Sequence, residues 1–194
     1  MKQNVVIGTV ALLMSGAAAF AQQTPPVKPM GDQGSTKSVN DTKTNADQHF
    51  VTDAASGGMA EVELGKLAAD KATKDEVKKF GQRMADDHGK ANDELKSLAQ
   101  SKSITLPTMV DPKHKATIDR LSKLSGEAFD RAYVQEMLKD HEKDVAAFRT
   151  ESRTGKDPEV KAWAGKTLPT LEEHLKLVQD LNRGAVGTSG VKKP

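Results

Sequence analysis

Three of the five histidines in this 194-residue chain lie on the apolar faces of different predicted helices. His88, His141 and His174 each interrupt a stripe of apolar residues that repeats every three or four positions. Glu61 interrupts the stripe of a fourth helix in the same way. Imidazole and carboxylate groups that meet in the core of a helical bundle are typical ligands of one Zn, Fe, Mn or Cu ion.

The four polar side chains are predicted to lie at similar depths in such a bundle. Glu61 precedes the first predicted turn by about 12 residues and His88 follows it by about 15, a height difference of about 5 Å. His141 and His174 are placed almost equally about the later turn. We therefore predict a metal site with these ligands and orienting partners: Glu61, His88, His141 and His174, with Asp87 and Asp140 beside them.

A polar core network without metal is the alternative interpretation of these histidines. A buried imidazole usually finds a hydrogen-bond partner, which a nearby carboxylate or Tyr133 would supply. Met84 and Met137, one turn before two of the histidines, suit either copper ligation or ordinary gap filling in a core. A ferritin-type di-iron centre is not expected, because it needs Glu-x-x-His on two helices. The residues three before the histidines are Ala85, Leu138 and Leu171.

Four long amphipathic helices are predicted to carry these residues. The first begins near Asn45, and the second begins at a Thr73-x-x-Glu76 capping box. The third begins after Ser125, and the fourth begins at Asp157, which precedes a proline. Short turns make the first and second helices, and the third and fourth, two antiparallel hairpins.

About two dozen residues separate the second helix from the third, and they include an Asp111-Pro112 start to a short extra helix. A connection of that length lets the second and third helices run in the same direction. The predicted fold is therefore all-α: a ferritin-like four-helix bundle with one long crossover between its second and third helices.

The ends of the chain differ in composition from this region. Residues 1–21 carry one lysine, a short apolar run and a final Ala-Phe-Ala, a pattern typical of a signal peptide cleaved after Ala21. Residues 22–45 form a Pro-rich polar linker that we expect to be disordered, and 184–194 a flexible Gly-rich tail. The predicted domain is 46–183, in a periplasmic or secreted protein without stable membrane insertion after signal cleavage.

Composition excludes several classes of function. The chain has no cysteine, which removes disulfides, thiolate metal sites and cysteine nucleophiles. Its net charge of +2 is too small to indicate a nucleic-acid partner. No G-x-S-x-G, Gly-rich phosphate loop or H-E-x-x-H occurs, so no catalytic residue is predicted. A homo-oligomer is left open.

Four stretches resemble the domain-of-unknown-function 4142 family of bacterial proteins. They are AEVELGKLA at 60–68, MADDH at 84–88, FDRAYV at 129–134 with KDHE at 139–142, and TLPTL at 167–171 with a following histidine. The resemblance implies an exported ferritin-like protein with no established activity. The motif positions of that family fall on Glu61, Asp87, His88, Asp140, His141, Pro169 and His174.

The function predicted from the sequence is a non-enzymatic binding or stress-related module with a His/Glu metal site. One alternative is a metal-dependent oxidase or peroxide-consuming enzyme that uses the same residues. A second alternative is a purely structural interaction protein whose histidines only form hydrogen bonds.

Overall fold

The computed structural model describes residues 39–187, and side chains from 46 to 184. This part of the chain is all-helical and contains no strand, which confirms the predicted class. Its five helices are α1 (Val39–Lys71), α2 (Asp75–Ser101), α3 (Pro112–Ser122), α4 (Gly126–Thr154) and α5 (Pro158–Gly187). The fold thus has five helices rather than four, because the connection between α2 and α4 forms α3 behind an Asp111 N-cap.

Two helical hairpins, α1–α2 and α4–α5, make up the fold. Asp47, near the start of α1, accepts hydrogen bonds from two backbone N–H groups in the α4–α5 turn, at 2.9 and 2.6 Å. Asp130, near the start of α4, accepts from two backbone N–H groups in the α1–α2 turn, both at 3.0 Å. These reciprocal contacts make α1 and α4 antiparallel, and α2 therefore runs in the same direction as α4.

The start of α2 differs from the predicted capping box. The N-cap residue is Lys74, and no side chain of the segment itself caps the helix. Thr73 instead donates its hydroxyl hydrogen to Asp130 at 2.6 Å. The prediction was wrong because a carboxylate from α4 takes the place of a local cap. By contrast, Asp157 accepts from the N–H groups of residues 159 and 160, as predicted for the start of α5.

Two apolar clusters fill the space between the helices, and a polar layer separates them. One cluster includes Leu64, Phe129 and Tyr133. The other includes Val51 and Trp163. Each of α1, α2, α4 and α5 contributes residues to both clusters. In the sequence of each helix, the predicted metal ligand lies between these two groups of residues. The polar side chains therefore occupy the middle of the core.

The predicted domain boundaries are only partly covered by the structure. The signal peptide (1–21) and most of the linker and tail lie outside the described residues. Residues 39–45 and 184–187, which the sequence assigned to linker and tail, belong to α1 and α5. None of the described helices combines the length and apolarity needed to cross a membrane.

Candidate metal centre

Three histidines from α2, α4 and α5 meet in the polar layer. His88 is 6% exposed, and His141 and His174 are fully buried. The ring centroids of His88 and His141 are 5.7 Å apart, and His174 lies 5.4 Å from both. One ring nitrogen of each histidine lies within 4.8 Å of the other two. Residues that are far apart in the chain thus form one compact cluster.

The hydrogen bond of His141 determines its tautomer. Its Nδ1 lies 3.0 Å from the backbone carbonyl oxygen of Met137, one turn earlier in α4. Burial lowers the pKa of His141 to about 4, so the ring is neutral at pH 7. Because a carbonyl oxygen can only accept, Nδ1 carries the proton and Nε2 keeps its lone pair.

His174 is held by a carboxylate from α2. Its Nε2 lies 3.0 Å from Asp87 Oδ2, and Arg83 Nε binds the same oxygen at 3.3 Å. Partial burial favours the protonated form of Asp87, but the hydrogen bonds from His174 and Arg83 outweigh it and lower its pKa. Burial lowers the pKa of His174 to about 4. An ionised Asp87 can only accept, so the proton of His174 sits on Nε2 and Nδ1 keeps its lone pair.

His88 is held by the buried carboxyl group of Glu61. His88 Nδ1 lies 3.0 Å from Glu61 Oε2. Burial raises the pKa of Glu61 to about 7 and lowers that of His88 to about 4. An ionised Glu61 accepts the Nδ1 proton of a neutral His88, which leaves His88 Nε2 free.

The three remaining ring nitrogens, His88 Nε2, His141 Nε2 and His174 Nδ1, are buried and have no hydrogen-bond partner among the described residues. A buried polar atom without a partner costs about 1–3 kcal/mol, and whole domains are stable by only about 5–15 kcal/mol. Without a ligand or water on them, three such atoms in one place would be a substantial cost. A ligand that accepts three lone pairs would remove it.

Glu61, the fourth predicted ligand, lies on the other side of the rings. Its Oε2 contacts Nδ1 of His88, and its Oε1 lies 3.6 Å from Nδ1 of His141. Both contacts are to the nitrogens opposite the free Nε2 atoms. Glu61 therefore lies on the Nδ1 side of His88 and His141, opposite their free Nε2 atoms.

The two aspartates predicted to orient the ligands occupy different environments. Asp87 binds His174, as described above. Asp140 Oδ1 instead lies 3.3 Å from Lys143 Nζ, and none of the three rings of the cluster is among the hydrogen-bond partners described for it. Asp140 therefore does not hold any of the three rings, although it lies directly before His141 in α4.

Asp144 is a residue of this site that the sequence reasoning missed. Burial, together with the charge of Glu61, raises the pKa of Asp144 well above its ordinary value. Asp144 follows His141 by three residues, on the same face of α4. That spacing was the signal that could have revealed it.

Three other residues considered from the sequence lie in the apolar core. Met84 and Met137 are fully buried members of the cluster around Leu64 and Phe129, as expected for gap-filling side chains. Tyr133 stacks on Phe129 with ring centroids 5.9 Å apart, and its hydroxyl has no hydrogen-bond partner among the described residues. It therefore does not hold any of the histidine rings.

The fold and the site together define a class: an all-helical domain with a buried cluster of three neutral histidines. The chain belongs to the family described as "Domain of unknown function (DUF4142)", whose model matches residues 33–181. The family resemblance found in the sequence is thereby confirmed. None of the curated proteins matches the chain.

Several solved structures share the fold. A DUF305 fragment from Deinococcus radiodurans superposes with a TM-score of 0.63 at 16% identity, covering 71% of this chain and 96% of its own. A DUF305 protein from Streptomyces coelicolor gives 0.61 at 19%, covering 72% and 92%. CopM in its Cu(II)-bound form gives 0.61 at 17%, covering 71% and 96%. At these identities the likeness concerns the fold.

Proposed function

We propose that this protein binds one transition-metal ion through His88 Nε2, His141 Nε2 and His174 Nδ1. The observation that carries the proposal is that these buried nitrogens lack protein partners. The opposite nitrogen of each ring is held by Glu61, Met137 O or Asp87. Metal-ligating histidines almost always donate their second N–H to a carboxylate, carbonyl or water in this way.

The spacing of the nitrogens is compatible with this role. Tetrahedral ligands at 2.0–2.1 Å from an ion are separated by about 3.3 Å. One nitrogen of each ring lies within 4.8 Å of one nitrogen of each of the other two rings, and side-chain rotations would bring the proposed ligand atoms to the tetrahedral distance. Three protein ligands leave a further coordination position for water or another small ligand.

The ligand set favours some metals over others. Imidazole suits Zn, Cu, Fe and Ni, whereas Mn prefers carboxylate and water ligands. Without Glu61 among the ligands, Mn is the least suitable of the four ions predicted from the sequence. CopM, which shares the fold, has been seen with Cu(II) and Cu(I) bound, so copper is the first ion to test and zinc the second.

We propose that Glu61 and Asp144 supply negative charge beside the metal site. Glu61 is buried and Asp144 is half-buried, and neither carboxyl group has a lysine or arginine among its described hydrogen-bond partners. A bound dication would balance their ionised forms. In this arrangement Glu61 orients His88 and contributes charge, and it does not need to contact the ion.

We further propose that the protein is exported, that its helices form a ferritin-like bundle with α3 in the crossover, and that it binds without catalysing a reaction. The signal-like residues 1–21 support export. Expression in a bacterial host with the full N-terminus, followed by mass measurement of the recovered chain, tests it. We expect a periplasmic protein that begins at Gln22; an unprocessed cytoplasmic chain would contradict export.

The metal proposal is tested with protein purified without a His-tag. Metal content after dialysis against Cu(II), and separately Zn(II), is measured by mass spectrometry. We expect one ion per chain in the wild type and none in His88→Gln, His141→Gln or His174→Gln. His49→Gln is the matched control, because His49 is exposed on α1. The purely structural interpretation prevails if no stoichiometric ion binds, or if the three variants bind like the control.

The role of Glu61 is tested with Glu61→Gln. Changes of residues that hold metal ligands typically weaken metal affinity by about 10- to 100-fold. We expect a loss in that range with the stoichiometry still one, measured by competition titration. Glu63→Gln, two residues away and exposed, is the control and should leave affinity unchanged. Complete loss of binding in Glu61→Gln would instead indicate a direct ligand.

A further inference from the structure

A cavity between α2 and α5 reaches the histidine cluster from the surface. Its volume is about 180 Å³, and both His88 and His174 line it. A water molecule takes up about 30 Å³ of liquid volume, so the cavity has room for a metal ion with several waters. Two of the three histidines of the cluster are thus part of its wall.

The outer end of this cavity is crossed by an ion pair. Lys166 Nζ lies 2.7 Å from Glu94 Oε1, and the pair connects α5 to α2. The two side chains are 69% and 46% exposed, whereas the histidines of the same cavity are buried. An exposed pair of long side chains is weak and opens readily. The contact therefore lies between bulk solvent and the histidines.

The wall that α5 contributes contains a helix irregularity. Pro169 lies inside α5, among the cavity-lining residues Lys166, Thr167 and Thr170. Proline has no N–H to donate to the carbonyl of residue 165, so this turn lacks one backbone hydrogen bond.

A second cavity of about 350 Å³ is the rival route. It is lined mainly by α1 and α4, with residues from the other three helices, and it reaches Glu61 and His88 but neither His141 nor His174. It shares four lining residues with the α2–α5 cavity: His88, Ala91, Thr167 and Leu171. An ion in this cavity would first meet the carboxyl groups of Glu61 and Asp144, behind the rings. The α2–α5 cavity touches two of the three ligand histidines and is the more direct route.

We infer that a metal ion reaches and leaves the histidine cluster through the α2–α5 cavity, past the Glu94–Lys166 ion pair. This inference rests on the proposed metal-binding function. On this route, Glu94 and Lys166 affect the rate of metal exchange rather than the metal affinity, because neither side chain is one of the proposed ligands. It also makes the remaining coordination position of the ion accessible from that side.

The ion pair is tested by the rate at which excess EDTA removes Cu(II) from the loaded, untagged protein. We expect Glu94→Gln and Lys166→Met to release copper about two- to fivefold faster than the wild type, as breaking a weak surface ion pair allows. The equilibrium affinity should change less than the rate. Glu172→Gln and Arg149→Met are matched controls: they break an exposed α4–α5 pair of 2.6 Å that lines neither cavity.

The route is tested by filling each cavity in turn. Thr170 lines only the α2–α5 cavity and Thr117 only the other, and both are half-buried. We expect Thr170→Phe to slow copper release by roughly fivefold or more, because the ion must displace a packed ring. Thr117→Phe should release copper at the wild-type rate. Slower release in Thr117→Phe alone, or unchanged rates in all variants, would overturn the inference while the proposed function stood; failure of the wild type to bind metal would overturn both.

Discussion

Burial gives the three histidines their chemical character. In water an imidazole has a pKa of about 6.5 and is partly charged near neutral pH. In the core, His88, His141 and His174 each have a pKa of about 4, because desolvation penalises the cation. Each ring therefore stays neutral across the physiological range. Neutral imidazole is the form that binds metals, so the site does not lose its ligands to protons until the pH is well below neutral.

The same pKa shifts make the stability of the metal-free protein depend on pH. The unfolded chain takes up protons on these three histidines below about pH 6.5, but the folded protein does so only near pH 4. Unfolding is thus increasingly favoured as the pH falls through this window. Glu61 acts in the opposite direction, because its raised pKa lets the folded state hold a proton between about pH 4.5 and 7.

His174→Gln removes the titration of one of the three histidines and leaves the causes of the Glu61 pKa shift in place, since His174 is not among them. We expect the wild type to lose more stability than this variant between pH 6.5 and 4.5, by a slope of roughly one proton. Urea unfolding followed by circular dichroism, with a chelator present, measures both curves. Parallel curves would show that His174 titrates normally in the folded protein.

At the level of helices, an aspartate near the start of each hairpin accepts hydrogen bonds from the turn of the other hairpin. Asp47 of α1 binds the α4–α5 turn, and Asp130 of α4 binds the α1–α2 turn. The separation in sequence between Asp47 and Glu61 equals that between Asp130 and Asp144. Corresponding positions of α1 and α4 thus supply both turn contacts and both carboxyl groups of the site. The relation indicates two similar hairpins packed in opposite directions.

The contacts of Asp130 are expected to be important for stability. Asp130→Ala leaves the N–H groups of Thr73 and Lys74 without this acceptor, and we expect a loss of about 1–3 kcal/mol. Glu76→Ala removes the partner of the capping box that the sequence predicted, and we expect a change within about 0.5 kcal/mol. Chemical denaturation of both variants compares them. An equal loss in the two would mean that the local capping box does contribute.

Close packing of α1 on α2 requires glycine at positions 65 and 81. A Cβ atom at Gly81 would lie 2.7 Å from Ala68 Cβ and 2.8 Å from the carbonyl oxygen of Gly65. A Cβ atom at Gly89, two turns later in α2, would meet nothing within 4 Å. The same substitution should therefore have opposite effects at the two sites.

We expect Gly89→Ala to stabilise the protein by about 0.5–1 kcal/mol, because alanine is the better helix former. Gly81→Ala should destabilise it by about 1–3 kcal/mol, since α1 must move away. Thermal and urea unfolding of both variants gives the two values. If Gly81→Ala stabilised the protein like Gly89→Ala, the helices would not approach each other as closely as the structure shows.

For the molecule as a whole, the polar layer lowers the stability of the core, and a bound ligand would raise it. The layer separates two apolar clusters, and each of the four long helices contributes to both. An ion coordinated by α2, α4 and α5 would connect the two hairpins where the apolar core is interrupted. Metal binding and folding are therefore expected to be strongly linked.

This linkage predicts thermal stabilisation by metal. A ligand at 100 times its dissociation constant stabilises the folded state by about 2.7 kcal/mol. For a chain of this size we expect a rise in Tm of about 5–10 °C. Differential scanning calorimetry with and without Cu(II) measures it, and His141→Gln should show no rise. A similar rise in that variant would indicate copper bound elsewhere.

The helical class, the starts of α3, α4 and α5, and the three histidines of the cluster could be predicted from the sequence alone. These depend on local chemistry: the helical period of apolar residues, and Asp-Pro pairs that cap a helix within one turn. Depth along the helices could be counted from the turns, so the meeting of His88, His141 and His174 was predictable.

Which ring nitrogens of those histidines lack a hydrogen-bond partner could be seen only in the tertiary structure. Glu61 has the right depth and the right face, but it lies at the Nδ1 side of His88 and His141. Asp87 faces a histidine, whereas Asp140 faces Lys143. The tautomer of each ring, and the side from which a ligand can approach, depend on neighbours from other helices. Such contacts are set by the rotation of each helix about its own axis, and the spacing of residues along one chain does not contain that rotation.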